Sequence, residues 1–150
     1  MTDREQIKDE IKKQLNRYQD LRAEHRELLD ELRQLEITMG APSGSNWDGM
    51  PRSPGTGNPV ERMAIKHLAL EQRYKAQLEK LAAAQIVIED MIEPLEPIER
   101  RLARLHYIDG LKWDSVCDKI NYSWSQTHRI HSRMLDRLVA AELERRNAQK

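Results

Sequence analysis

With 150 residues and a mass of 17.6 kDa, the chain has room for one ordinary domain, or one small domain with an extension. Charged residues make up 33% of it, aromatic residues only 5% with no Phe, and mean hydropathy is −0.81, which argues against one large compact core and for long exposed helices around a small one. Formal net charge is zero but unevenly spread: residues 1–39 hold 8 Lys+Arg against 10 Asp+Glu, residues 40–93 hold 6 against 7, and residues 94–150 hold 11 against 8 together with three of the five His. A basic bias at the C-terminal end suits a nucleic-acid partner.

The single cysteine, Cys117, rules out a disulfide within the chain and suggests a reducing compartment. No apolar run approaches the roughly 18 residues of a membrane span. The first ten residues, MTDREQIKDE, are charged throughout and do not form a signal peptide. These features predict a cytoplasmic protein with no membrane partner.

Residues 1–39 have no internal Gly or Pro. Ile7, Ile11, Gln14, Tyr18, Leu21, His25, Leu28, Leu32, Leu35 and Met39 alternate spacings of four and three, and nearly everything between them is charged or polar. This heptad seam predicts a coiled-coil helix, paired either within the chain or with a second chain as a homodimer. An amphipathic helix packed on its own chain fits the same pattern. Gln14 and His25 interrupt the seam, either to fix register or as tolerated imperfections.

Residues 40–58 are rich in Gly, Pro, Ser and Asn and read as a loop, within which Trp47, Met50 and Arg52 stand out. Residues 59–93 form a second long helix. Asn58 can cap it and Pro59 takes the favoured first position. Its apolar stripe runs Val60, Met63, His67, Leu70, Tyr74, Leu78, Leu81, Ile88 and Met91 or Ile92, and Pro94 and Pro97 end it. Residues 95–108 form a shorter helix with Leu95, Ile98, Leu102, Leu105 and Ile108 on one face, closed by Gly110. No strand is expected, so the fold class is all-α.

The last region, 94–150, carries the functional signal. A short helix from about Trp113 to Ile120 turns Trp113, Val116, Cys117 and Ile120 inward. Asn121-Tyr122 makes a tight turn, with Asn121 able to adopt positive φ. Ser123 caps a second helix, from about Trp124 to Leu138, that buries Thr127, Ile130, Met134 and Leu138. Two short helices joined in this way have the form of a helix-turn-helix, in which the second helix enters the major groove. Its outward residues would be Ser123, Trp124, Ser125, Gln126, His128, Arg129, Ser132 and Arg133, hydrogen-bonding types suited to base edges. Lys112, Lys119 and Arg137 are placed to neutralise phosphates. Trp124 either contacts the DNA or folds back over the helix start. Periodicity alone fits equally a helical hairpin with a solvated polar face.

The stretch from Leu95 to Leu138, opening as L-x-P-x-E-R and continuing RLHYIDGLKWDSVCDKINYSWSQTHRIHSRMLDRL, resembles region four of bacterial sigma factors. It is most similar to phage transcriptional regulators of the ArpU and RinA type, described as late-gene activators. In that resemblance Leu95 to Arg100 opens the support helix, Gly110 and Trp113 mark a G-x-x-W motif, and Tyr122-Ser123 is the turn before the recognition helix. Asp48-Gly49-Met50-Pro51-Arg52 also looks like a loop motif of these proteins. The resemblance covers about residues 46–62 and 94–138. It implies a transcription regulator that binds double-stranded promoter DNA, with host RNA polymerase as a second partner.

Two other functions remain open: a small terminase subunit that recognises packaging DNA, and a polymerase-binding adaptor whose helix-turn-helix does not touch DNA. His128 and His131 have a metal-compatible spacing, but Cys117 reads as core and a fourth ligand is lacking, so neither metal nor cofactor is expected. Asp114 and Asp118 read as solvation beside Lys112 and Lys119. With no phosphate-cradling Gly loop, nucleophile elbow or metalloprotease motif, no enzyme activity is expected.

Overall fold

A computed structural model describes residues 2–40 and 58–150. The protein is all-α, and every regular element among the described residues is helical: α1 (Asp3–Gly40), α2 (Pro59–Ile92), α3 (Pro97–Ala103), α4 (Trp113–Ile120) and α5 (Trp124–Ala148). A π-helical turn, Arg104–Ile108, extends α3. Residues 41–57, with Trp47, Met50 and Arg52, lie outside the described residues.

Local chemistry sets the helix starts. Thr2 and Glu5 form a reciprocal cap on α1, with Glu5 N–H donating to Thr2 Oγ1 (3.3 Å) and Thr2 N–H to Glu5 Oε2 (3.0 Å). Asn58 Oδ1 accepts from Val60 N–H at 3.1 Å, with Pro59 opening α2 as expected.

The chain divides into two compact units, and each long helix contributes one end to each unit. The first unit comprises the residues up to Arg22 together with Lys80–Lys150; the second is Ala23–Glu79.

In the first unit, one apolar cluster unites the start of α1 (Ile7, Ile11, Leu15, Tyr18), the end of α2 (Ile88, Ile92), and residues of α3, α4 and α5. The seam residue here is Leu15, which is fully buried, while Gln14 is exposed. Ile7, Ile11, Leu15 and Tyr18 advance by four, four and three residues, so the order of the spacings departs from the expected four, three and four at this one position. Tyr18 Oη lies 3.5 Å from Gln85 Oε1 on α2.

The π turn is where the third helix departs from its expected single apolar face. Asp109 N–H bonds to Arg104 O (2.8 Å), five residues back. The inserted residue turns Tyr107 and Ile108 inward together, so Leu102, Ala103, Tyr107 and Ile108 are buried and Leu105 only half so. Gln19 and Arg22 of α1 close the turn by donating to its terminal carbonyls.

In the second unit, α1 and α2 pair antiparallel within the chain. Glu24 accepts from Gln77 Nε2 (2.7 Å), the His25 ring meets that of Tyr74 at a tilt (centroids 4.6 Å apart), and Glu36 meets His67 (3.0 Å), so one number falls as the other rises. The heptad positions 25 to 35 face inward here, with Leu32 and Leu70 buried, while the last seam residue, Met39, is exposed. Two positions of the expected α2 stripe do not: Val60 is 69% exposed and Leu78 46%. Gln77, hydrogen-bonded to Glu24, takes the half-buried place beside Leu78.

Candidate nucleic-acid interface

The two helices begin, and the first ends, where the sequence places them, while the second runs on past the expected Leu138 to Ala148. Asn121 ends α4 in the left-handed conformation, φ 59°, and its N–H bonds to Cys117 O. Such a φ costs most residues about 1–2 kcal/mol and costs Asn less. Ser123 then caps α5. Gln126 N–H donates to Ser123 Oγ (3.2 Å), and Ser123 N–H donates to Gln126 Oε1 (3.1 Å).

Thr127, Ile130, Met134 and Leu138 are buried as expected, and so are Val116 and Ile120 of α4; Trp113 and Cys117 are half-buried. Leu135 and Val139 are buried too, giving α5 a broad apolar face. That face carries α5 ten residues beyond Leu138, where Glu142 pairs with Arg145 and Arg146, and Arg146 also with Glu10 of α1. The two arginines hold the Glu142 carboxyl well below the usual range, at about 2.

Of the expected reading residues, Ser123, Trp124, Ser125, Gln126, Arg129, Ser132 and Arg133 are exposed, as are Lys112 and Lys119. A shallow open depression is lined by Ser125, His128, Arg129, Ser132 and Arg133. Three of the expected residues are held by contacts within the chain. Gln126 gives its carbonyl oxygen to the Ser123 cap, so only its amide N–H groups are left for a ligand. His128 does not simply face outward. It is half-buried between Trp124 (centroids 4.2 Å) and Trp113 (5.0 Å), and its Nε2 is buried without a hydrogen-bond partner. Arg137 is committed elsewhere: it bonds Glu96 (2.8 Å) and stands 3.0 Å from Glu99.

Glu99 is a feature the sequence gives no sign of. Placed beside Arg100 and Arg101 it reads as surface charge, yet it is 0% exposed. Arg137 Nε lies off line for a hydrogen bond, so it supplies charge alone, and burial pushes the Glu99 carboxyl up.

Trp124 is 53% exposed, and its ring lies against that of His128 on the next turn of the helix. Behind it a chain of rings leads inward. Trp113 stacks on His106 (3.9 Å, 22° between planes) and meets His131 edge-on (4.7 Å). Tyr107 Oη is hydrogen-bonded to His131 Nε2 at 2.6 Å, and His106 Nδ1 to Leu111 O at 2.8 Å. Burial is the first cause of three shifts: it lowers His131 to about 4, lowers His106, and raises Tyr107 to about 12. His131 Nε2 is thereby occupied by a tyrosine. Among the described residues, no three His, Cys, Asp or Glu side chains converge as metal ligands would.

No family model matches this chain, and no curated protein or solved structure matches it either. None of the described helices is long and apolar enough to cross a membrane.

Proposed function

We propose that this chain is a sequence-specific transcription regulator that binds double-stranded promoter DNA, of the phage or prophage late-gene activator kind. The observation that carries the reading is the α4–turn–α5 unit. A left-handed Asn121 and a Ser123–Gln126 capping box start a helix whose inner face is locked into a core and whose outer face presents Ser125, Arg129, Ser132 and Arg133. Serine and arginine on the first turns of such a helix can hydrogen-bond phosphates and base edges, and arginine is the commonest reader of guanine. α4 lies behind α5 as the bracing helix, with Lys112 and Lys119 exposed for the backbone. The sigma-like pattern from Leu95 to Leu138 supports promoter DNA as the target and host RNA polymerase as a second partner. The role is one of binding and needs no catalytic group.

The test is selection of bound duplexes from a random-sequence library, followed by binding of the enriched sequence in a gel-shift assay. Enrichment of one motif, lost on Arg129→Ala, supports the reading. Absence of any enriched motif, with the protein folded, would exclude it.

A further inference from the structure

The start of α1 shares one apolar cluster with α5: Ile7 and Ile11 are buried in the same core as Ile130, Met134, Leu138 and Val139. Successive residues of a helix turn by about 100°, so Lys8 and Lys12, one turn apart, project from one flank of α1. Glu10, midway between them, projects from the opposite flank. That flank faces the far end of α5, because Glu10 pairs with Arg146. The lysine flank therefore faces the start of α5. Gln19 agrees with this: it lies on the lysine flank about two turns further on, and it donates to Tyr107 O at 2.7 Å. Tyr107 Oη in turn bonds His131, in the first half of α5. The charges of Lys12 and Lys8 reach the His131 ring, adding to burial and to His106 and His128 in keeping it uncharged at neutral pH.

His131 stands between His128 and Ser132, which line the depression of the candidate interface. Its ring meets Trp113 edge-on at 4.7 Å, and Lys112 immediately before Trp113 is exposed. Lys12 is exposed and Lys8 half-buried, as suits a stem laid along apolar surface with its ammonium in water. Among the described residues the ion pairs of α1 fall on Glu10 and Glu36, not on these lysines. Glu5, on the same flank, is engaged by Thr2 N–H in the helix cap. We infer that Lys8 and Lys12 hold the DNA backbone beside α5, so that the start of α1 is a third DNA-contacting element next to α4 and α5. The inference rests on the DNA-reading role of α5. An ammonium on a flexible stem is a point charge suited to phosphate, so the pair strengthens binding without selecting sequence.

The experiment compares two duplexes: the enriched motif alone, and the motif extended at each end by about one helical turn, ~10 base pairs. On the motif alone, the cations of α4 and α5 set the salt dependence. The extended duplex reaches α1, and its log–log slope should be steeper by up to about 1.8, the value for two phosphates. That increment should disappear in the full chain carrying Lys8→Gln and Lys12→Gln, with the preferred sequence and the thermal melt unchanged. Lys13→Gln, which removes an exposed charge from another side of α1, should keep it. Specific binding of the extended duplex with the full increment in the folded double variant overturns the inference and leaves the DNA reading standing. Loss of the increment in Lys13→Gln also overturns it, because net charge rather than position would then be responsible. No binding of either duplex by the folded parent overturns both.

Discussion

The side-chain amide of Gln19, on α1, donates to the backbone carbonyl of Tyr107, 2.7 Å away, and the same nitrogen lies 2.9 Å from Ile108 O. Arg22 adds a third bond to Ile108 O at 2.8 Å. A helix ending in a π turn leaves carbonyls that need donors, and α1 supplies them. With Ile7, Ile11, Leu15 and Tyr18 in the same apolar cluster as Ile130 and Met134, the start of α1 is part of the folded unit that carries the helix-turn-helix.

This makes Leu15 and Gln14 a decisive pair. Leu15→Ala should cost about 2–5 kcal/mol of stability, as large-to-small core changes do. Gln14→Ala should stay within about 0.5 kcal/mol, since the residue is exposed. Thermal melts of both check the register; equal effects would restore the strict heptad. Gly110 offers a second probe. Its φ is +74°, and an added Cβ would stand 2.7 Å from Gln19 Oε1, so Gly110→Ala should destabilise by about 1–3 kcal/mol.

Arg129 and Arg137 lie on the same helix and should fail in different assays. Arg129→Ala should leave the melt unchanged and weaken DNA binding by about 1–3 kcal/mol. Arg137→Ala should lower the melting temperature, because it takes from the Glu99 carboxyl its nearest opposite charge and leaves only the weaker effect of Arg133; a cost of about 1–3 kcal/mol is expected. Glu99→Gln in the Arg137→Ala background should recover part of that loss, since the amide carries no charge. Failure of that rescue would count against the pairing.

The salt dependence of DNA binding follows from the same assignment. With Arg137 held by Glu96 and Glu99, the exposed cations at the interface are Lys112, Lys119, Arg129 and Arg133. Neutralising four phosphates predicts a log–log slope of about −3 to −4 per protomer. A slope unaffected by Arg137→Gln and reduced by about one in Arg133→Gln agrees with this; the reverse pattern would contradict it.

Stability should depend on pH through the Tyr107–His131 pair. His131 is lowered in the folded state, so the unfolded chain binds the proton more readily. Its contribution is complete above about pH 6.5 and is lost as pH falls toward 4. Tyr107 is raised to about 12, so its contribution is present below about pH 10 and is lost as pH climbs from there. Denaturant melts from pH 4 to 8 should show a decline on the acid side that is smaller in His131→Gln. A flat profile over that range would contradict the burial of His131.

In the second unit, Leu32→Ala should be costly, about 2–5 kcal/mol, and Val60→Ala nearly neutral. Amide exchange in residues 23–40 and 58–79 distinguishes the two, because loss of Leu32 should open that helix pair first.

Much of this structure is local and therefore readable from the chain. The end of α4 and the start of α5 depend on Asn121, Ser123 and Gln126, residues that act on backbone groups within four positions of themselves. The buried side of α5 follows from spacings of three and four around Thr127, Ile130, Met134 and Leu138. What the tertiary structure alone decided involves partners far apart in sequence. Leu15 replaces Gln14 because the apolar cluster that α5 and the π turn contribute to lies on the Leu15 side of α1. Arg137 is paired with Glu99, 38 positions earlier, while staying exposed. His128 is placed between two tryptophans, one on its own helix and one on the helix before it. Periodicity records which side of a helix is apolar, but the same polar residue serves a ligand, a cap or a buried charge, and only the neighbour that arrives from another helix determines which.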